Sequence, residues 1–390
     1  MTPSDPRPRV LVAGGGVAAL EVVLALHERT AGTLRTTLLS SADRFRHRPI
    51  SSYAGLAGDD GRTVDLARFV AEQGAGLVCD RLTAVDAAES AVLTEHGGRI
   101  PYDALVLATG ASPREGLPGA ITLGAPHDEA ALAALTARVR AGTVGRLAVV
   151  VPAGVAWSLP AYELALLMRH AAPAGATAVE VVTAEVRPMA VAGDEFSDAV
   201  SALLARRGVR VTTSTWPDAV DEGRLWLPLQ GAVEVDAVVA LARSVGPSLP
   251  GLPCDAHGFV LVDARGLVRG ERRVWAAGDV ASHVVKQGGF AVQQADAVAE
   301  DVARHLGLEH LSAVAPHPPV LRAALLDGED TLYLRAEHVD GTIRTAVSGT
   351  PLWWPPTKIA GGRLSAWLAA FQARDGGAAA GSELLGAGGA

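Results

Sequence analysis

"VLVAGGGVAALE", Val10 to Glu21, is the stretch on which the fold turns. An apolar run reaches three consecutive glycines and passes at once into a helix-forming segment. Arg9 to Gly14 reads as a buried strand, and Leu20, Val23, Leu24 and Leu26 form a helical stripe between about Val17 and His27. A strand–turn–helix with glycines at its turn can seat a nucleotide, and Gly14-x-Gly16-x-x-Ala19 fits the dinucleotide pattern. Gly14 permits the tight turn, Gly16 lets backbone approach a pyrophosphate, and Ala19 lets the helix lie close on its strand. The amides that open the helix, at Val17 and Ala18, would face the phosphates. "LRTTLLS", Leu34 to Ser40, is the next β-rich run and completes a β-α-β unit within about thirty residues.

The chain has 390 residues, enough for two or three domains with cores of their own. With 49% hydrophobic and 19% charged residues, disorder is excluded for most of it. A formal net charge of -8 leaves no basic surplus for nucleic acid. Cys79 and Cys254 are the only cysteines and form no C-x-x-C, so a disulfide framework, a metal site and a redox dithiol are not expected. The opening "MTPSDPRPRV" lacks the apolar stretch of a secretory signal. The longest uncharged run, Leu147 to Tyr162, contains Pro152, Gly154, Ser158 and Pro160 and is too short to span a bilayer. The expected location is cytoplasmic.

Beyond the first unit, "AGLVCD" to "ALVLATG" (75–110) reads as a strand meander with a hairpin near Gly97 and Gly98, and it takes in Cys79. A second α/β block begins at Arg146 to Pro152. It continues through a helix over Ala161 to Ala171, a strand over Thr177 to Glu185, a helix over Asp194 to Arg207, and "GVRVTTS". The chain then passes through "GFVLVD" and "RRVWAAGDVA" into a helix over about Gly289 to Leu306. The last block holds β-like "TLYLRAEHV" and "TIRTAVSG", then "PLWWPPTKIAGGRLSAWLAAF", and a Gly/Ala-rich tail expected to be disordered.

Two further segments repeat the theme of the opening. "YDALVLATGASP", Tyr102 to Pro113, and "VWAAGDVA", Val274 to Ala281, are apolar strands ending in small-residue turns. Ala108, Thr109 and Gly110 leave room for a cofactor backbone. Asp279, after Gly278, closes a buried strand where a carboxylate needs hydroxyl or amide donors, unless it caps the next helix. In this order the three segments resemble the large family of FAD-dependent pyridine nucleotide–disulfide oxidoreductase-like proteins, most closely its sulfide:quinone oxidoreductase and type II NADH dehydrogenase branch. The likeness extends over most of the chain, including "RHRPISSYAG", "GPSLPGLPCDAHGFVLVD", "KQGGFAVQQADAVAEDVARHLG", "PVLRAALLDG" and "PLWWPPTKIAGGRL".

The resemblance implies an α/β fold of two Rossmann-like dinucleotide-binding domains with a C-terminal α+β cap. An FAD domain would take 1–112 and 246–312, an NAD(P)-like domain 113–245, a flavin-covering domain 313–375, and the tail 376–390. The first glycines would hold the ADP half of FAD. Asp279 would accept from a ribityl hydroxyl, with Ala108, Thr109, Gly110, Gly278, Arg48 and Pro49 along the cofactor. Lys286 and Gln287 precede a helix whose N-terminus would point at the flavin pyrimidine edge, where a helix start and a lysine stabilise the negative charge of a reduced flavin. Lys286 is therefore a catalytic candidate. So is Glu163, near where relatives carry a glutamate close to the nicotinamide, although it reads equally well as a capping or salt-bridged helix residue. Many relatives place an acid at the end of the second strand for the adenosine ribose. Here Ser40 and Ser41 stand in that place and Asp43 follows, so the ribose contact stays open, with Ser41 among the candidates.

Departures from the family pattern narrow the chemistry. Neither cysteine falls where a thiol relay would need it. No second glycine motif follows "LAVVV": "PAGVAWSLPAYELAL" puts Pro152, Ala156 and Trp157 where the loop should open, so NAD(P)H is expected to bind weakly. Glu185 ends the next strand, where a ribose-binding acid could sit and favour NADH over NADPH. Trp353, Trp354, Pro355, Pro356 and Lys358 either wall an acceptor pocket or anchor the packing of the last domain. Leu364, Trp367, Leu368 and Phe371 form a helical stripe that docks on the protein, joins a homodimer, or touches the inner face of a membrane. The leading expectation is an FAD-dependent oxidoreductase that passes two electrons to a quinone-like or other small acceptor without cysteine chemistry. An NAD(P)H dehydrogenase and a flavin-binding protein without turnover are the competing readings.

Overall fold

The computed structural model describes residues 6–46, 56, 63–308, 319–339 and 341–375. Its first sheet is parallel, in the order Val274–Ala276, Ala104–Leu107, Arg9–Ala13, Arg35–Ser40 and Gly76–Cys79. The inner strands are apolar without alternation because both faces are covered, and Ala104–Leu107 is buried throughout. The helices Val17–Thr30 and Gly288–His305 lie against one face. Leu82, Val85 and Val92 pack with Leu11, Leu105 and Leu107 on the other.

One sequence expectation is corrected here. Neither Gly76–Cys79 nor Ala104–Leu107 belongs to the meander. Gly76–Cys79 is the outer strand of the parallel sheet, with Cys79 opposite Ser40, and Ala104–Leu107 is one of its inner strands. The meander consists of Leu82–Asp86, Ala91–Thr94 and Arg99–Pro101, all antiparallel. A short apolar strand carries no local mark of the direction in which it will pair.

The second parallel sheet runs in the order Ile121–Leu123, Ala237–Leu241, Arg146–Val151, Ala178–Thr183 and Arg210–Thr212. The helices Leu159–Ala171 and Asp194–Arg206 contribute to its core. Chain passes between the sheets as an antiparallel ribbon of Ser112–Arg114 with Arg243–Val245.

The C-terminal part grips both sheets. Leu321–Leu326, Thr331–Val339 and Thr342–Ser348 form an antiparallel sheet whose Leu321, Ala323, Leu325, Leu334 and Ala336 share a core with the helix Leu159–Ala171. The helix Arg363–Asp375 turns instead to the first sheet. Leu364 is fully buried there, and Trp367 meets Phe69 edge-on, with ring centroids 5.0 Å apart, and stacks on Phe371. The stripe thus docks on the protein. No helix among the described residues is long and apolar enough to cross a membrane.

Glu21 fastens that helix. It lies in the apolar stretch Ala18 to Leu26 of the helix Val17–Thr30 and is wholly buried, and its carboxylate accepts from the amides of Arg363 (2.9 Å) and Leu364 (2.8 Å). These are first-turn amides, which have no partner inside their own helix. Burial pushes the Glu21 carboxyl up, and the two amides pull it back. Glu21→Ala leaves both donors stranded. It should cost about 1–3 kcal/mol and open the C-terminal helix to proteases. Thermal melting and limited proteolysis check this, and a wild-type melt with no new cleavage would show that the carboxylate is dispensable.

Candidate functional site

In the first sheet Ala13 stands opposite Leu107, and Leu107 opposite Ala276. Three strands from distant parts of the chain therefore end level. The loops that follow them, 14–16, 108–110 and 277–279, leave one edge side by side. Strand order reverses between Arg9–Ala13 and Ala104–Leu107, and in open α/β sheets the crevice at such a reversal receives the ligand.

Gly14 makes the tightest approach. Its φ is +136°, and a Cβ there would lie 2.0 Å from the Ala108 carbonyl oxygen. Its amide donates to the Leu39 carbonyl at 2.7 Å. Gly16 is the opposite case. It is exposed, nothing stands within 4 Å of where its Cβ would be, and no side chain caps the helix Val17–Thr30 that it opens. Val17 is half-buried and Ala18 buried at that helix start. Ala108 is buried, Thr109 is exposed and Gly110 faces open space. Gly278, at φ +76°, would place a Cβ 2.9 Å from that of Ala18 and 3.6 Å from that of Ala291. The first turns of two helices thus converge on one glycine, whose amide donates to Gln294 Oε1 at 2.8 Å. Half-buried Asp279 follows. An uncapped helix start beside a cradle that any side chain would fill suits a pyrophosphate, so these residues fit a dinucleotide.

Gly15 was not picked out from sequence, yet a Cβ there would lie 2.4 Å from the Ser40 hydroxyl oxygen. Ser40 is buried and donates to the Ala42 carbonyl at 2.7 Å. Of the ribose candidates, Ser41 and Asp43 are the ones that are exposed. Arg48 and Pro49 lie outside the described residues.

Gln287 caps the helix Gly288–His305. Its Oε1 accepts from the Phe290 amide at 2.9 Å and its Nε2 donates to the Arg322 carbonyl at 2.8 Å. Its side chain is thus engaged within the protein, and the backbone amides of the first turn are what the helix offers. Lys286 donates to the Ala281 carbonyl and lies over the Phe259 ring, 3.8 Å from the centroid. Burial lowers its pKa to about 8, opposed by the charges of Asp279 and Asp255.

Glu163 is buried in the middle of the helix Leu159–Ala171 and forms an ion pair with Lys358 of the C-terminal segment. Burial pushes its carboxyl up and Lys358 offsets part of that. A salt bridge is present, with a partner 195 residues away. A signal for that partner exists in composition. Lys286 and Lys358 are the only lysines among 34 basic residues. A lysine, unlike an arginine, can lose its proton when buried.

The tryptophan pair divides. Trp353 packs edge-on to Tyr333, with centroids 5.3 Å apart, and donates to the Thr357 carbonyl at 3.0 Å, while Trp354 is 80% exposed. Cys79 is exposed and Cys254 half-buried, both as free thiols, and burial pushes Cys254 up. In the second sheet the loop 152–158 runs to a helix that begins only at Leu159, with Pro160 in its first turn. Glu185 does not present a free carboxylate. Ser158 donates to its Oε1 at 3.0 Å, and Tyr162 and Thr183 donate to its Oε2 at 2.6 and 3.3 Å.

A sequence profile for the family described as pyridine nucleotide-disulphide oxidoreductase matches residues 8–295. No curated protein matches the chain. Its fold is similar to that of the sulfide:quinone oxidoreductase of the hyperthermophilic bacterium Aquifex aeolicus, at 19% identity and a TM-score of 0.75 over 88% of this chain and 87% of that one. It is also similar to a ferredoxin reductase of Rhodopseudomonas palustris, at 23% identity and a TM-score of 0.66 over 85% and 83% of the two chains. For the NAD-dependent persulfide reductase of A. fulgidus the identity is 19% and the TM-score 0.64, over 85% of this chain and 64% of that one.

Proposed function

Because the chain belongs to the pyridine nucleotide-disulphide oxidoreductase family and is an oxidoreductase, we propose that it holds FAD on the first sheet and serves a small acceptor without help from cysteines. In this reading 1–112 with 246–312 bind FAD, 113–245 are a dinucleotide domain that has lost its motif, and 313–375 cover the flavin. The level ending of three strands at Ala13, Leu107 and Ala276 carries the proposal. When bound, FAD supplies the store for two electrons taken from a small donor and given to a quinone-like acceptor. The likeness to a sulfide:quinone oxidoreductase supports that acceptor class.

The chain's own residues would divide the work as follows. The amides after Gly16 face the pyrophosphate, and Asp279 accepts from a cofactor hydroxyl. Lys286, with a pKa of about 8, keeps its proton at neutral pH and adds a positive charge at the start of the helix Gly288–His305. Glu163 of the helix Leu159–Ala171 and Lys358 of the covering segment form a buried acid–base pair that can hold or hand on a proton. Exposed Trp354 offers a flat apolar wall to a ring-shaped acceptor.

The test uses a variant with both Cys79→Ser and Cys254→Ser. It should purify with FAD, and once the flavin is reduced photochemically without air, a soluble quinone should reoxidise it within about twofold of the wild-type rate, a difference under about 0.5 kcal/mol in barrier. A colourless protein that takes up no FAD would refute the cofactor assignment. A much slower variant with full FAD content would point to a thiol-dependent enzyme instead.

A further inference from the structure

The middle sheet keeps the outline of a second dinucleotide seat, and its most telling residue is the carboxylate of Glu185. Glu185 stands two residues beyond the strand Ala178–Thr183, the place from which an acid ordinarily bonds a nucleotide ribose. Here the donors come from the protein. Ser158 and Tyr162 reach it from the start of the helix Leu159–Ala171, one to each oxygen, at 3.0 and 2.6 Å. Thr183 and the Met189 amide add to them. Two hydroxyls from one helix start, bonded to the two oxygens of one carboxylate, reproduce what a ribose diol would offer.

We propose that Ser158 and Tyr162 occupy the ribose contact of the middle domain from within, so that Glu185 closes this seat to nicotinamide nucleotides. This rests on the proposed function, in which electrons reach the flavin from a small donor, and it narrows the donor to compounds other than NADH and NADPH. The loop before the helix acts in the same direction. Its one glycine, Gly154, faces open space, but Pro160 removes an amide from the first turn of the helix. The knot is stable because its members satisfy one another. Burial pushes the Glu185 carboxyl up, and the hydroxyls and the Met189 amide pull it back, while the same carboxylate and burial push the Tyr162 phenol up.

The test is a direct titration of NADH and NADPH, followed by calorimetry, which reads binding whether or not FAD is present or reduced. The wild type should show no saturable binding below about 1 mM of either nucleotide. Ser158→Ala with Tyr162→Phe frees the carboxylate. That variant should bind NADH at least tenfold more tightly than the wild type and leave NADPH unimproved, because a carboxylate pairs with a ribose diol and repels a 2′-phosphate. Micromolar binding to the wild type would overturn the proposal. So would a folded double variant that binds no better, since the loop alone would then close the seat. If the double variant does not fold, Ser158→Ala alone carries the test: it should bind NADH more tightly than the wild type, and no change would count against the proposal. Loss of FAD with the nucleotide pattern as expected would refute the functional reading and leave this one standing.

Discussion

Gly16→Val should leave the protein folded and take away its FAD. Nothing lies within 4 Å of the added Cβ, and the backbone there is extended at φ -99°, so the fold has no reason to resist. The valine instead projects into the space before the uncapped helix, where the pyrophosphate would approach. Flavin affinity should fall by at least tenfold, about 1.4 kcal/mol, with a melting temperature close to that of the apo wild type. Gly14→Ala should behave in the reverse manner. Its methyl meets the Ala108 carbonyl at 2.0 Å with φ at +136°, which should destabilise the apoprotein itself by about 3 kcal/mol. Flavin absorbance and apo melting curves on the two variants separate the roles. If Gly16→Val retained full FAD, the loop would not be the pyrophosphate seat.

The second large effect is expected at the buried ion pair. Lys358→Met leaves the Glu163 carboxylate without its cation in a site that is 1% exposed, and should cost about 3–5 kcal/mol at neutral pH. The sign of its pH dependence follows from burial. A carboxyl whose native pKa is pushed above its ordinary 4.5 is most favourable to folding while protonated, and that stability is lost as pH rises through the native pKa. The deficit of Lys358→Met should therefore shrink as pH falls from neutrality towards the ordinary carboxylate range. Adding Glu163→Gln should recover most of the loss at every pH. Chemical denaturation across that range decides it, and a deficit independent of pH would mean that Glu163 is not the stranded charge.

The first sheet was legible because its information is local. Gly14 and Gly278 each follow an apolar strand, and a glycine at a strand end is demanded by a close approach whose partner need not be known. The ion pair of Glu163 was only half legible, since Lys358 joins it across 195 residues. Glu185 is ambiguous in the sequence for a related reason. A strand-end acid looks the same whether it waits for a ribose or is bonded by Tyr162, 23 residues earlier on the preceding helix. Cys79 was assigned to the wrong sheet because pairing direction is decided by tertiary neighbours and not by the strand's own residues. Glu21 left a mark that could have been read, a single carboxylate inside a helix otherwise buried and apolar over Ala18 to Leu26.

Two lobes joined by a ribbon ordinarily flex about it. Here Leu321–Ser348 is seated on one lobe and Arg363–Asp375 on the other, and Lys358 pins the stretch between them to Glu163. A strut across both lobes removes the hinge, because opening would have to strip an apolar seat or part a buried charge pair. The way into the crevice is then a rigid aperture. Under the proposed function, selection among donors and acceptors would then fall to the fit of a guest to a mouth already formed.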